Sequence, residues 1–421
     1  MTLEYWSILI VGISFCYIYY SRVINGIVYL DHLVYIMFGI MFYWLFPIYI
    51  FENKFFTNVH DALYNSISLQ NKKTYLFFVS IIIVSLLLGD WISRRLSYTF
   101  SFKNMYYSRK VLDVFFYILV FLGCYAAYFM WDYFFTGYET SGKWPHERGM
   151  FNSVCIALTT LNVINSITNV KYNNYYISIK RKFFLLAFNK YFILAFIFNL
   201  LNLSTGNRGY MITFFMSLLL IATEVGNGIN IKKLFLIFIF ITFLSSFVAI
   251  VRSGIGESYL YRSESHIGNI VYEPINVGVT LLHHLKDLSY GYFEIPVVLI
   301  SKLIGIIPSA IFPGKFGLMI SPADIGKTVV RFLATTHSYV ELLINFGLIG
   351  TILLFFFLGI GFNWLKSKKH YTPIYIAASA NIPFFFFRSF YDATVKHIFE
   401  FSILLPLLIL LISFIQRKYR R

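Results

Sequence analysis

The sequence predicts an all-α polytopic membrane protein, and three features of its composition support this fold class. Hydrophobic residues make up 58% of the 421 residues, and charged residues make up only 13%. The mean hydropathy is +0.69. A soluble domain could not bury so large an apolar fraction in its core, whereas membrane helices expose apolar side chains to lipid. The formal net charge of +16 lies in short clusters between apolar runs, which indicates cytoplasmic loops and not a nucleic-acid-binding surface.

Apolar segments of about 20 residues are needed to cross about 30 Å of hydrocarbon. The chain contains about eleven segments near this length, and ten to twelve spans are compatible with the pattern. The predicted spans are 4–20, 27–51, 74–92, 111–135, 150–168, 183–202, 210–225, 234–251, 337–364, 371–387 and 399–415. The first segment has no basic start and no small-residue cleavage site, so we interpret it as a retained helix.

The basic residues of the short connections predict the orientation. They concentrate in every second connection and in the C-terminal tail: Arg22, Arg94, Arg95, Lys103, Arg109, Lys110, Lys171, Lys180, Arg181, Lys182, Lys232, Lys233, Lys366, Lys368, Lys369, Arg417, Lys418, Arg420 and Arg421. Short cytoplasmic loops carry such an excess. We therefore expect a cytoplasmic C-terminus and an external N-terminus. The chain then divides into spans 1–8 (1–251), a large external segment with short helices (252–336), and spans 9–11 with a basic tail (337–421).

Arginines recur on the side that is predicted to be external: Arg208, Arg252, Arg262, Arg331 and Arg388. Arg208 lies in a short turn before a short predicted span, which would place its guanidinium at headgroup depth beside a helix N-terminus. Arginine suits phosphate because its planar fork forms two charge-assisted hydrogen bonds and stays protonated. A single arginine in such a turn could equally be a snorkelling residue. The recurrence on one side favours an anionic site.

A histidine begins the ninth predicted span. His337, Glu341 and Asn345 are spaced i, i+4, i+8 and share one helix face. A polar stripe on a membrane helix normally faces the bundle interior or a wet cavity. An imidazole near a carboxylate can act as a general base at neutral pH. The alternative interpretation of His337 is a capping residue at the helix start.

Motifs for metal or cofactor chemistry are not found in the sequence. The external segments contain no Asp-x-Asp pair, and the chain has no Walker A loop, no Gly-x-Ser-x-Gly elbow and no His-Glu-x-x-His helix. Cys16, Cys124 and Cys155 all fall inside predicted spans, so no disulfide framework or zinc-ligand spacing is expected. We expect no cofactor and no metal.

Four short motifs carry a resemblance to a known family. They are the Gly-Asn-Arg-Gly turn at 206–209, the external segment that opens with arginines, Pro308 followed by Phe312-Pro-Gly-Lys315, and the helix start His337-Ser with Gly347 and Gly350. Over about residues 200–400 the chain resembles the O-antigen, or oligosaccharide repeat-unit, polymerases of the Wzy type, which are related to the O-antigen ligases. The resemblance implies a GT-C-like architecture in the bacterial inner membrane.

The resemblance also implies a reaction and a set of residues. The growing glycan on undecaprenyl pyrophosphate would be transferred to the non-reducing end of a new lipid-linked repeat, by a metal-independent glycosyltransferase. The catalytic residues would be His337, Arg262 and Arg252. The pyrophosphate would be bound by Arg208, Arg252, Arg262, Arg388 and Arg331, although Arg331 has no clear counterpart and Ser338 replaces a frequent asparagine. Supporting roles would fall to Glu341, Asn207 and Tyr210.

The resemblance also implies the partners of the protein. The expected partners are undecaprenyl-pyrophosphate-linked oligosaccharides, the bilayer and a chain-length regulator membrane protein, and no nucleic acid is expected.

Two other functions remain open at the level of sequence. A lipid-linked oligosaccharide flippase or transporter would distribute charges through the membrane midplane and would show a two-half repeat. The sequence shows only Lys190 as a clear deep charge and no convincing repeat. An O-antigen ligase, which transfers the glycan to lipid A core, is barely separable from the polymerase by sequence.

Overall fold

The helices and strands below come from a computed structural model of the chain. It describes residues 3–52, 61–96, 106–134, 145, 147–172, 189–205, 207–226, 228–236, 277–286, 291–306, 312–325, 337–368, 371–388 and 393–419. Of the predicted site residues, Arg252, Arg262 and Arg331 lie outside the described residues.

The described residues are almost entirely helical. The helices are α1 (Leu3–Arg22), α2 (His32–Glu52), α3 (Asp61–Ser66), α4 (Leu69–Arg95), α5 (Arg109–Phe129), α6 (Glu147–Tyr172), α7 (Lys190–Ser204), α8 (Arg208–Gly226), α9 (231–236), α10 (277–285), α11 (Val297–Leu303), α12 (Ser338–Ser367), α13 (372–388) and α14 (393–418). Wider π-helical turns occupy Ile40–Leu45 in α2, Ile382–Phe386 in α13 and Ala393–Leu404 in α14. Short 3₁₀ helices occupy Trp131–Tyr133, Ile304–Ile306, Pro313–Leu318 and Pro322–Ile325.

The predicted membrane class is confirmed by the length and apolarity of these helices. Within the described residues, 6 helices are long and apolar enough to cross a membrane: His32–Glu52, Leu69–Arg95, Arg109–Phe129, Glu147–Thr168, Ser338–Ser367 and Val395–Lys418. The first, seventh and tenth predicted spans are also helical, as α1, α8 and α13, and the described part of the sixth span is helical from Lys190, as α7. The eighth predicted span, 234–251, lies outside the described residues except for 234–236.

A small antiparallel sheet separates the first two helices and corrects the second predicted span. Asn25 and Gly26 adopt positive φ angles of 51° and 74°, which is the two-residue turn that pairs β1 (Val23–Ile24) with β2 (Ile27–Val28). A third strand, β3 (Ile229–Asn230), pairs with β2. The prediction that the second span begins at residue 27 was therefore wrong. The helix begins at His32, where the Asp31 carboxylate accepts the Val34 N–H at 3.2 Å.

Close packing of α4 against α12 depends on two glycines. A Cβ atom at Gly359 would lie 2.5 Å from the Leu86 carbonyl oxygen, and a Cβ at Gly89 would overlap the Phe356 carbonyl oxygen. One helical turn before these contacts, the Ser85 hydroxyl of α4 donates to the Ile352 carbonyl of α12 at 2.8 Å. Small residues and serine hydroxyls are the usual means by which membrane helices approach closely, because lipid gives no hydrophobic drive to helix association.

A buried ionic cluster defines one end of the bundle, which we call the Arg22 end. Arg22 contacts Asp31 at 2.6 Å, and Arg94 contacts Asp90 at 2.8 Å. Nearby, the Asn363 amide donates to the Asp90 carbonyl at 3.0 Å. These contacts join the last turns of α1, α4 and α12 to the start of α2. Two guanidinium groups face two carboxylates, so the charges balance and the cost of burying them is offset.

Candidate functional site

The opposite end of the bundle contains the start of α8 at Arg208, the end of α13 at Arg388 and the start of α12 after His337. We call it the Arg208 end. Near this end, α12 is interrupted by a break. Gly347 has φ 70° and ψ −175°, which separates residues 338–346 from 348–367. The second segment has about 20 residues and a length of about 30 Å, enough to cross the hydrocarbon alone. A second segment that crosses the hydrocarbon by itself would leave the first segment at the level of the lipid headgroups or beyond.

Residues 291–306 are anchored at this break by backbone hydrogen bonds. The carbonyls of Gly291 and Tyr292 accept the N–H groups of Leu348 and Ile349 at 3.1 and 2.9 Å. A Cβ at position 347 would lie 2.6 Å from the Gly291 oxygen. Gly347 is thus required both by its positive φ and by the close approach of this segment. The break holds part of the 252–336 region against α12.

His337 caps the first segment of α12 and is fully buried. Its Nδ1 accepts the Tyr339 N–H at 3.2 Å, and its Nε2 lies 3.2 Å from the Tyr43 carbonyl oxygen. Because a carbonyl only accepts, Nε2 carries the proton and the imidazole is neutral. Burial holds the pKa of His337 well below its ordinary value. Both ring nitrogens are engaged, so the structure contains the capping geometry that the sequence left open. The general-base role stays a prediction.

The polar stripe that follows His337 faces the protein interior. Glu341 and Asn345 are each 1% exposed. The Asn345 amide donates to the Glu341 carbonyl at 2.7 Å, and its oxygen accepts the Leu299 N–H at 3.0 Å. Asn345 therefore links α12 to α11 in the 252–336 region. This is a structural use of the stripe that the i, i+4, i+8 spacing allowed but did not specify.

Two of the predicted arginines, Arg208 and Arg388, lie on elements that pack on one aromatic ring at the Arg208 end. Arg208 is the first residue of α8, and a Cβ at the next residue, Gly209, would overlap the Phe384 ring. The Arg388 guanidinium carbon lies 5.3 Å from the centre of that same ring. Arg208 and Arg388 are far apart in the sequence, yet Phe384 packs against the residue after Arg208 and lies under the Arg388 guanidinium. The predicted supporting residue Asn207 is half-buried beside them.

Tyr210 and His397 form an aromatic layer beneath these arginines. The Tyr210 ring is buried and meets Phe385 edge-on at 5.0 Å between ring centres. His397 stacks on Phe385 at 4.1 Å and meets Tyr210 at 5.8 Å. The His397 Nδ1 is buried and has no hydrogen-bond partner among the described residues. Sequence reasoning missed His397. The available signal was its position in the last predicted external loop, between the spans 371–387 and 399–415.

Lys315 is a second residue of this end whose role was not anticipated. Its side chain is 6% exposed, and its Nζ donates to the Gly305 carbonyl at 2.9 Å. The contact fastens the 312–325 segment to the turn that follows α11. Lys315 belongs to the Phe-Pro-Gly-Lys motif, and its burial gives that motif a structural function.

Groups that could hold a metal ion do not occur within the described residues, where no three His, Cys, Asp or Glu side chains converge. The predicted roles of Arg252, Arg262 and Arg331 stay predictions, because these residues lie outside the described part. No protein-family model, curated protein or solved structure matches this chain. Any assignment of function therefore depends on the arrangement of the chain's own residues.

Proposed function

We propose that this protein polymerises undecaprenyl-pyrophosphate-linked oligosaccharide repeat units at the outer face of the bacterial inner membrane, in lipopolysaccharide or related polysaccharide biosynthesis. The proposal includes about eleven spans, a GT-C-like architecture, an external N-terminus and a large external segment at 252–336. The observation that carries it is the packing of Phe384 against Gly209, the residue after Arg208, and against the Arg388 guanidinium. Two arginines at one end of a membrane bundle suit a lipid-linked pyrophosphate.

The chemistry of this arrangement supports an anionic leaving group. Arg208 begins α8, whose first backbone N–H groups also attract anions. Arg388 is oriented over the face of Phe384, which restricts its side chain. A pre-placed guanidinium loses little entropy when phosphate binds. The 252–336 region would add the guanidinium groups of Arg252, Arg262 and Arg331.

The proposed reaction needs no metal. The acceptor hydroxyl oxygen attacks C1 of the donor sugar, the bond from C1 to the pyrophosphate oxygen breaks, and the electron pair leaves with undecaprenyl pyrophosphate. Negative charge grows on the pyrophosphate, so the arginines stabilise the transition state more than the ground state. If His337 takes the hydroxyl proton, the Tyr339 N–H contact must open first, because Nδ1 carries the lone pair.

A lipid-linked oligosaccharide transporter is the second candidate, and one observation favours it. The Arg22 end contains three charged side chains, Arg22, Asp31 and Asp90, and His32 in the bundle interior, with the exposed Arg94 beside them. Intramembrane ionisable groups commonly mark transport pathways or proton relays. The cluster lies at one end of the bundle, however, and its charges pair with each other. This geometry is equally consistent with a structural role, in which the ion pairs hold the helices together, as with a transport pathway.

Deletion of the gene in the bacterium that encodes it separates these functions. We expect loss of a polymerase to leave single repeats attached to the acceptor and to remove the ladder of longer glycans on a silver-stained gel. Loss of a ligase would leave no repeats on the acceptor. Loss of a flippase would keep repeats from reaching the external face, which an antibody against the repeat would detect on intact cells. Either of the last two results contradicts the proposal.

A further inference from the structure

A lipid-facing groove runs between α1 and α4 toward the Arg22 end. The two helices lie side by side, and the groove has a volume of about 410 Å³. Its walls include Ile10, Ile13 and Tyr17 from α1 and Val84, Leu88 and Trp91 from α4. Each helix thus contributes side chains from successive turns of one face. From Ile10 to Tyr17 the groove extends for about 10 Å along the helix.

Arg95 lies at the open end of the groove, next to Trp91. The Arg95 guanidinium carbon lies 3.8 Å from the centre of the Trp91 ring. Arg95 is exposed and one position beyond Arg94, at the end of α4. A guanidinium held over an indole keeps its N–H edges available for a ligand, because the stacking uses the face of the fork.

The charged residues of the Arg22 cluster pair with each other and not with Arg95, within the part of the chain that the structure describes. Arg22 and Arg94 are matched by Asp31 and Asp90, and Lys366 pairs with Glu224 at 3.2 Å. No carboxylate of the described residues forms an ion pair with Arg95. The mouth of the groove therefore has a positive potential, whereas its floor is apolar.

We propose that this groove binds an anionic phospholipid of the leaflet that meets the Arg22 end. One acyl chain lies between α1 and α4, and the lipid phosphate contacts Arg95. Basic groups at the end of an apolar inter-helix groove are the usual recognition elements for such headgroups. Trp91 and Tyr17 have the amphipathic character that suits the membrane interface. A peptide is a poor occupant, since its backbone would lose hydrogen bonds on the lipid-facing surface.

The proposal predicts a headgroup preference that depends on Arg95. The full chain, purified in detergent and stripped of lipid, is titrated with phosphatidylglycerol or phosphatidylcholine of identical acyl chains, and bound lipid is counted by native mass spectrometry. We expect phosphatidylglycerol to bind about fivefold more tightly, because both lipids carry the phosphate but only phosphatidylcholine carries a quaternary ammonium that Arg95 repels. Arg95→Gln should abolish this preference. Lys110→Gln, which removes an equal charge from an exposed position of α5, should preserve it.

A second pair of variants tests the groove itself. Ile13→Trp should fill the groove and weaken binding of both lipids, whereas Leu200→Trp, on the exposed face of α7, should not. If Arg95→Gln impairs folding, Trp91→Leu removes the ring that orients the guanidinium and should reduce the same preference. The proposal is overturned if both lipids bind equally, if the preference survives Arg95→Gln, or if the spectra show a dimer that Ile13→Trp dissociates.

Discussion

The break at Gly347 shows how one residue fixes the position of a whole segment. Its φ of 70° with ψ near 180° is a conformation that glycine adopts far more readily than other residues. We expect Gly347→Ala to lower the free energy of unfolding by about 2 to 3 kcal/mol, from strain and from the clash with Gly291. Gly361→Ala is the matched control in the same helix, since a Cβ there meets nothing within 4 Å. Thermal unfolding in detergent measures both. Equal melting temperatures for the two variants would rule out the constraint.

Asn162 presents a different situation within the bundle, because neither atom of its buried amide has a hydrogen-bond partner among the residues that the structure describes. If the amide is unpaired, Asn162→Leu removes a desolvation penalty and should raise the free energy of unfolding by about 1 to 3 kcal/mol. Asn202→Leu should do the opposite, since the Asn202 amide donates to Asn152 at 2.9 Å. A lower melting temperature for Asn162→Leu would show instead that the amide holds an ordered water or a ligand.

Residue roles were only partly predictable from the sequence. The i, i+4, i+8 spacing allowed us to place His337, Glu341 and Asn345 on one face, and all three are buried. The spacing could not show that the His337 nitrogens would be engaged by Tyr43 and Tyr339. The Tyr43 contact comes from a distant helix, and long-range packing leaves no local pattern. His397 was missed for the same reason.

At the scale of elements, the ionic cluster ties α1, α2 and α4 together. Asp90 is fully buried between Arg22 and Arg94. Asp90→Asn leaves two guanidinium groups with one carboxylate, so we expect a loss of about 3 kcal/mol in the free energy of unfolding. Asp132→Asn, at an exposed position, should change stability by less than about 0.5 kcal/mol. Urea or heat denaturation in detergent distinguishes them, and similar stabilities would contradict the proposed tie.

Helix existence was easier to predict than helix boundaries or internal geometry. Apolar length predicted the long helices, because the bilayer sets a minimum span. The second span was placed too early because the Asn25-Gly26 turn signal was overlooked. The π-helical turns could not be anticipated. They accompany packing such as that of Gly39 against Phe387, where a Cβ would overlap the ring, and such contacts depend on the tertiary structure.

At the scale of the whole molecule, the two ends of the bundle differ in charge organisation. The Arg22 end has arginines paired with buried carboxylates, and the Arg208 end has arginines beside aromatic rings. The alternation of connections predicted that Arg208 and Arg388 lie on one side, and both lie at one end of the bundle; the same prediction for Arg252, Arg262 and Arg331 falls outside the described residues. The sequence did not predict the contacts of Phe384 with Gly209 and Arg388, which follow from the packing of α8 against α13.

The most direct test of the proposed function replaces each arginine of the Arg208 end while keeping its charge. Arg208→Lys and Arg388→Lys lose the planar fork, so we expect each to reduce polymer formation by about 10²-fold, the effect of removing one transition-state donor. Arg109→Lys, at an exposed position at the start of α5, is the control. The measurement is the glycan ladder of a deletion strain that expresses each variant at equal membrane abundance. The account predicts single repeats with Arg208→Lys and Arg388→Lys and a full ladder with Arg109→Lys; full ladders with all three would contradict it.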